Sequence, residues 1–307
     1  MINNILFSIG KPPTASQGLH KWIRRAAIAC RSFPPEIVAD RIFNAVQGCG
    51  RQDIDEIKRV VSWSRGLKSG QPREGWPKRN NRLIGEVTGE GLDIESLRRR
   101  SPVDPDSFSS EQVIDRLFPQ RDVLLCMGAS LETARTHPKS AFRGVMSEQQ
   151  FVVPNRMTKV FGEAKAGHRS RRCLDNTGPR DYLVIEFDPR KWDGLSDSER
   201  QRFGSEGNYR RAKKRDSAAV LWHLAGVATR TPLVMVVDSA NRSLHGWFSV
   251  KAAPERSTLR LFRYAVALGA DPATWNRCQL VRMPQGLRAG GERQSVVYFN
   301  PELVEAK

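Results

Sequence analysis

One apolar run interrupted by two acids does most to constrain how this chain folds: Tyr182-Leu-Val-Ile-Glu-Phe-Asp188. Its β-branched and aromatic residues predict a strand, in which residues two apart point to the same face. Glu186 and Asp188 therefore share one face, and the apolar residues between them share the other. Two carboxylates on one face raise each other's pKa unless a cation lies between them. The run predicts either a site for Mg²⁺ or Mn²⁺, which prefer oxygen ligands, or an edge strand with its acids in water.

The net charge indicates what kind of partner the chain has. It is +17 at neutral pH, and basic clusters stand at 98–100, 168–172 and 210–215. A balance this basic is typical of proteins that bind a polyanion, because lysine and arginine release condensed counterions from phosphates. The clusters favour nucleic acid as the partner over a protein that is merely basic and soluble.

The cysteines and the first residues indicate the compartment. The five cysteines are scattered without any CxxC pair, which predicts a reducing, cytoplasmic location. The first ten residues carry too short an apolar run for a signal peptide, and no stretch is apolar enough to predict a membrane span. An alternative left open is a zinc site from four residues whose spacing matches no zinc finger: Cys126, Cys173, His137 and His168.

The chain changes character near Pro119. Helices are predicted at 34–46, 53–66 and 109–118 from proline or capping residues followed by apolar residues at helical spacing. Because no residues there carry chemistry, 1–118 is interpreted as a helical accessory domain and 119–307 as the functional domain. Strands are predicted at 122–127, 151–153, 182–188, 233–237, 244–250, 279–283 and 295–299, with helices ending near 225 and 269. This interleaving predicts a mixed α/β or α+β domain.

Two further groups accompany the paired acids. Ser243 and His245 are spaced two apart at the start of a predicted strand, so they also share a face. Asp271 follows a predicted helix in Gly-Ala-Asp-Pro, where a loop carboxylate can reach a strand end. Each has an ordinary interpretation: a structural histidine for His245 and turn residues for the other two.

Taken in order, these groups resemble the motifs of the archaeo-eukaryotic primase superfamily, the primase-polymerases, in particular its phage and mobile-element branch. That family carries a paired-acid strand, then a serine-x-histidine strand, then a lone aspartate. The neighbouring segments that carry the resemblance, which spans roughly residues 120–300, are Phe151-Val-Val-Pro-Asn155, Val236-Val-Asp-Ser239, Ser243-Leu-His-Gly-Trp-Phe248 and Gln279-Leu-Val-Arg-Met-Pro284.

The resemblance implies a fold and a set of roles. The fold would be α+β, an RRM-like mixed sheet beside a smaller α/β unit, preceded here by the helical N-terminal domain. Glu186, Asp188 and Asp271 would hold two catalytic ions, Mg²⁺ or Mn²⁺. The triphosphate of the incoming nucleotide would contact Ser243, His245, Arg282 and Arg242. The basic loop before the acid strand would line the path of the template: Arg169, Arg171 and Arg172.

Two positions depart from the family pattern. Glu186 stands where many relatives have aspartate, so its longer arm changes the geometry toward a metal. The turn before the serine reads Ala240-Asn-Arg242, where phage relatives commonly show glycines and a lysine. Arg242 replaces a phosphate-binding lysine as a charge but not as an equivalent hydrogen-bonding group.

The resulting prediction is a template-dependent nucleotidyltransferase that synthesises or extends primers on single-stranded DNA from nucleoside triphosphates. No phosphate-binding loop of the helicase type is present, so a replicative helicase would act from a separate chain. One alternative is a non-catalytic, RRM-like protein that binds single strands through aromatic and basic residues. Another is a metal-dependent nuclease, although a nuclease has little need of triphosphate contacts from Ser243, His245 and Arg282.

Overall fold

The structure, a computed structural model, describes residues 75–305 apart from 90, 165–166 and 229. Before residue 75 it describes 16–30, 35–47 and scattered positions, namely 6, 9, 11–12, 33, 54, 57–58 and 60–61. The chain divides into two compact units, Met1–Glu74 and Gly75–Lys307. Each unit has a hydrophobic core of its own.

The first unit contains two described helices, α1 at Ser16–Ala29 and α2 at Pro35–Val46. Proline suits the first turn of α2 because its missing N–H would have no partner in the helix. The core includes Trp22 and Ile23 of α1 and Ile42 of α2, each at most 5% exposed. The helix predicted at 34–46 is confirmed, whereas most of the one predicted at 53–66 lies outside the described residues.

The second unit carries seven further described helices and ten strands. The helices are α3 (Asn81–Thr88), α4 (Ile94–Arg100), α5 (Ser110–Leu117), α6 (Asp197–Phe203), α7 (Glu206–Val227), α8 (Glu255–Ala267) and α9 (Glu302–Glu305). The strands are β1 (Leu124–Gly128), β2 (Arg135–Pro138), β3 (Phe151–Val152), β4 (Gly162–Glu163), β5 (Arg169–Ser170), β6 (Tyr182–Glu186), β7 (Leu233–Asp238), β8 (Leu244–Ser249), β9 (Val281–Arg282) and β10 (Val296–Phe299). All seven strands predicted from the sequence are present, and the α+β class is confirmed. Among the described residues, no helix has the length and apolar character needed to cross a membrane.

The strands form two four-stranded sheets and a short ribbon. The first sheet has the order β2-β1-β3-β9, the second has the order β10-β7-β8-β6, and β4 pairs with β5. All described pairings are antiparallel, which differs from the mixed sheet predicted. The predicted hairpin is confirmed: β7 and β8 pair across the short turn that joins them, and such a turn permits only antiparallel pairing.

The second sheet lies between two layers because both of its faces are apolar. Leu183 and Ile185 of β6 pack with Leu221 of α7 and Phe262 of α8 on one face. On the other face, Tyr182, Val184 and Trp247 pack with residues of the first sheet and of α5, among them Leu125, Met127, Val281 and Ile114. Glu186 and His245 belong to this second face, since they continue the alternation of β6 and β8. Glu186 and His245 therefore lie where the two sheets approach each other.

The boundary between the units differs from the predicted one at 118. The helices α3 to α5 belong to the second unit, and their residues Leu97, Ile114 and Leu117 are fully buried in its cores. The predicted helix start at Ser109 is confirmed, and Ser109 caps α5 with a capping box in which its N–H donates to Gln112 Oε1 at 2.8 Å. Periodicity and capping predict that a segment is helical, but they do not say which core its apolar face joins.

A chain starting at Gly75 is expected to fold by itself. It keeps both cores of the second unit, so its thermal midpoint should lie within a few degrees of the corresponding transition of the full chain. A chain starting at Arg121 is the destabilised comparison, because each large apolar side chain that it loses contributes about 2 kcal/mol. Circular dichroism melts of the two chains check this. A Gly75 chain without a cooperative transition would contradict the division after Glu74.

Candidate functional site

Glu186 and His245 face each other at one end of the second sheet. Glu186 ends β6 and is the register partner of His245 on β8. The His245 Nε2 atom lies 3.3 Å from Glu186 Oε1 and 3.3 Å from Ser243 Oγ. The Ser243 hydroxyl donates in turn to Ser239 Oγ at 3.1 Å. The acid strand and the serine-histidine strand are thus neighbours, and the four polar side chains form one connected group.

The three predicted acids influence one another electrostatically. Burial, together with the charges of Asp188 and Asp271, raises the pKa of Glu186 to about 7. The Asp271 N–H donates to the Glu186 carbonyl at 2.8 Å, which ties the loop after α8 to the end of β6. The Asp271 carboxylate accepts from the Ala273 N–H at 2.9 Å and so caps the turn at Pro272–Trp275. A cation bound between Glu186, Asp188 and Asp271 would relieve the repulsion between their carboxylates.

Asp188 lies just past the end of β6. Its side chain is 51% exposed, and its carboxylate accepts from Arg242 Nη2 at 3.1 Å. Among the described residues, no group of three or more His, Cys, Asp or Glu side chains is close enough together to hold a metal. The acids suit a divalent cation because they repel one another and carry carboxylate oxygens. Their side chains are not already arranged around a metal position.

Arginines surround this acid group. Arg282 of β9 comes from the first sheet and stacks over Phe151 with its Cζ 4.8 Å from the ring centroid. Its buried Nη1 has no hydrogen-bond partner in the part of the chain that the structure describes. Arg288, which the sequence did not single out, donates to the Ser239 carbonyl at 3.1 Å. Burial lowers the pKa of His245 far below its ordinary value, and the charge of Arg282 lowers it further. The imidazole is therefore neutral near pH 7, and its buried Nδ1 has no partner among the described residues.

A half-buried ion pair beside the site was not predicted from the sequence. Lys214 of α7 pairs with Asp238 at the end of β7, with Nζ 2.7 Å from Oδ1, and both side chains are less than one-fifth exposed. Asp238 also accepts from the Ala240 N–H at 2.9 Å and so shapes the turn that leads to Arg242. The sequence indicated a turn at 238–242, but nothing in it connected that turn to a lysine 24 residues earlier.

The structure thus brings together seven of the predicted residues: Glu186, Asp188, Asp271, Ser243, His245, Arg242 and Arg282. It places the other three, Arg169, Arg171 and Arg172, in a separate cleft around Phe161. The four residues of the zinc alternative do not form such a group among the described residues, since no three His, Cys, Asp or Glu side chains there lie close enough together to hold a metal.

The raised pKa of Glu186 makes a prediction about stability. A carboxyl group whose pKa is higher in the folded state stabilises the fold below its unfolded pKa, and that contribution is lost as the pH rises through about 7. Glu186→Gln, which stays neutral, should therefore raise the free energy of unfolding at pH 8.5 by about 1–3 kcal/mol and by less at pH 5. Urea unfolding in metal-free buffer at the two pH values measures the difference.

The control for this experiment is Glu95→Gln, since Glu95 is an exposed residue of α4. It should change stability little at either pH. An equal change at pH 5 and pH 8.5 in Glu186→Gln would contradict the electrostatic origin of the shift.

Comparison of the chain with protein-family models, with curated proteins and with solved structures gave no match.

Proposed function

We propose that this chain is a template-dependent nucleotidyltransferase, a DNA primase or primase-polymerase that acts on single-stranded DNA. The observation that carries the proposal is the group around Glu186. The acids on β6 and after α8 repel one another, while His245 and Arg282 approach from a neighbouring strand and from the other sheet. Acids that need a cation, beside unpaired donors for phosphate, are the parts that phosphoryl transfer requires.

Each residue has a role in this proposal. Glu186, Asp188 and Asp271 would hold two Mg²⁺ or Mn²⁺ ions, which when bound would lower the pKa of an attacking 3′-hydroxyl and neutralise the leaving pyrophosphate. The buried Nη1 of Arg282 has no partner among the described residues and could donate to a triphosphate oxygen. Neutral His245 and the Ser243 hydroxyl would donate to the triphosphate from β8 and the turn before it. Arg242 would leave its contact with Asp188 and donate to a phosphate oxygen instead.

A second function has support from a different observation. The cleft around Phe161 holds four arginines outside the acid group, which suits a protein that binds a single strand without catalysis. Binding alone, however, gives no use to the mutual repulsion of the three acids beside His245 and Arg282. The two functions are compatible in one chain, since a polymerase must also hold its template.

The deciding experiment is incorporation on a defined single-stranded DNA template. A labelled primer on that template is incubated with deoxynucleotides or ribonucleotides and with Mg²⁺ or Mn²⁺, and a parallel set omits the primer. Products whose length follows the template support the proposal, and the preferred pool tells RNA from DNA synthesis. A folded protein that extends nothing under any of these conditions would leave only binding, and a shortened primer would point to a nuclease.

A further inference from the structure

A cleft rich in arginine lies at the other edge of the first sheet from Arg282. Arg282 belongs to edge strand β9, and β2 forms the opposite edge, three strand spacings or about 14 Å away. The cleft has a volume of about 380 Å³. Its lining, which we call the arginine cleft, consists of Leu131, Ala134, Arg135, Phe161, Arg169, Ser170, Arg171 and Arg172.

None of its four arginines pairs with a carboxylate among the described residues. Glu163 stands directly across from Arg169 in the β4–β5 ribbon, yet the two side chains form no ion pair. Arg143, by contrast, is held by both Glu111 and Asp115. Four positive charges in one cleft repel one another, so the cleft is electrostatically suited to an anion.

The protein fixes these guanidinium groups without using most of their donors. Arg135 donates to the Ala134 carbonyl at 2.9 Å, and Arg172 donates to the Cys278 carbonyl at 3.0 Å. Arg171 Nη1 lies 3.1 Å from His137 Nε2, which must be its acceptor because a guanidinium only donates. Each arginine carries five donors, so most of these donors are available to a bound acceptor. A phosphate oxygen is the acceptor that matches a guanidinium fork.

Phe161 gives the cleft an aromatic surface. Its side chain is 36% exposed, and the Cζ atoms of Arg169 and Arg171 lie 4.4 and 4.8 Å from its ring centroid. Leu131, at the same cleft, is 55% exposed. Apolar and aromatic surface beside unpaired arginines suits an unpaired base next to its phosphate better than a duplex, whose bases are already stacked.

We propose that the arginine cleft binds the sugar-phosphate backbone of single-stranded nucleic acid, with the guanidinium planes that lie over Phe161 as the stacking surface for a base. The site is separate from the acid group and does not contribute to the chemistry. In a polymerase the cleft would hold the template strand. Only this identity of the strand rests on the proposed function.

The test is binding of a labelled oligothymidylate to the full chain without metal or nucleotide, by fluorescence anisotropy from 50 to 200 mM salt. Each phosphate contact with a single strand contributes about 0.7 to the salt slope. Arg169→Ala/Arg171→Ala should therefore lower the slope by about 1.4 and weaken binding several-fold at 100 mM salt. Because the Arg169 side chain makes no hydrogen bond to the described residues, Arg169→Ala alone should fold normally and lose about 0.7 of slope.

The matched control is Arg116→Ala/Arg121→Ala, which removes the same charge from two exposed arginines. It should keep the slope of the parent protein. A double cleft variant that keeps this slope overturns the proposal, and so does displacement of the oligonucleotide by dTTP at equal phosphate concentration, which would make the cleft a mononucleotide site. Since the assay needs no catalysis, a protein that fails to polymerise can still bind through the cleft, and the two proposals fail independently.

Discussion

Asp188→Asn is expected to lower template-dependent incorporation by more than about a hundredfold while leaving the fold intact. Loss of a residue that only supports a metal ligand lowers metal affinity or activity about 10–100-fold, and loss of the ligand itself should lower activity further. The fold should survive because the side chain is half exposed and its only described side-chain partner is Arg242. Asparagine keeps the shape of aspartate but removes the charge that a divalent cation requires. Primer extension at saturating nucleotide, in Mg²⁺ and separately in Mn²⁺, measures the effect.

The matched control for this change is Asp193→Asn, at an exposed aspartate a few residues further along the chain. It removes the same charge and should leave extension close to that of the parent. Asp188→Asn must also show the parental melting transition, so that lost activity is not lost structure. Near-normal extension by the Asp188 variant in either metal would remove Asp188 from the proposed metal ligands.

The strands were predictable because their local pattern is strong. The run at 233–237 and the alternation at 244–250 carry enough β-branched and aromatic residues to form strands in almost any context. The pairing between Glu186 and His245 was not predictable, because strand order depends on which apolar faces meet in three dimensions. The sequence placed both residues on strands, and the fold made those strands neighbours.

Residue spacing did not predict the position of Asp188 or the contacts between distant segments of the chain. Glu186 and Asp188 were predicted to share a strand face, but β6 ends at Glu186, and Asp188 extends from the segment beyond it toward Arg242. The pair of Lys214 and Asp238 and the contact of Arg288 with Ser239 join segments far apart in the chain. Such contacts arise from the packing of α7 and of the loop after β9, for which a single sequence offers no local signal.

The arrangement of charges connects stability with the proposed chemistry. Burying Glu186 near two other acids costs stability above about pH 7, and neutral His245 beside it offers no positive charge in return. Catalytic sites commonly contain groups that are costly in the folded protein. A cation at this position would lower the cost, so added Mg²⁺ should stabilise the parent protein at pH 8.5 more than it stabilises Glu186→Gln.

Arg282→Ala is expected to weaken nucleotide use far more than template binding. A charge-assisted hydrogen bond to phosphate is worth about 1.5–3 kcal/mol, which corresponds to roughly ten- to a hundredfold in apparent nucleotide affinity. The variant should fold, because the buried Nη1 has no partner among the described residues that would be left unsatisfied. Arg282→Lys should recover part of the loss, since it restores the charge but not the planar fork.

Two measurements on each variant separate a nucleotide contact from a template contact: the nucleotide dependence of primer extension and a titration with single-stranded DNA. Arg82→Ala is the control, since Arg82 is 90% exposed on α3 and its loss changes the net charge equally. In Arg282→Ala the KM for nucleotide should rise while the DNA affinity and its salt slope match those of the control. If DNA binding weakens and nucleotide dependence stays parental, Arg282 belongs to a nucleic-acid groove. In that case the unpaired guanidinium beside Glu186 no longer supports polymerisation, and single-strand binding becomes the better account of the whole chain.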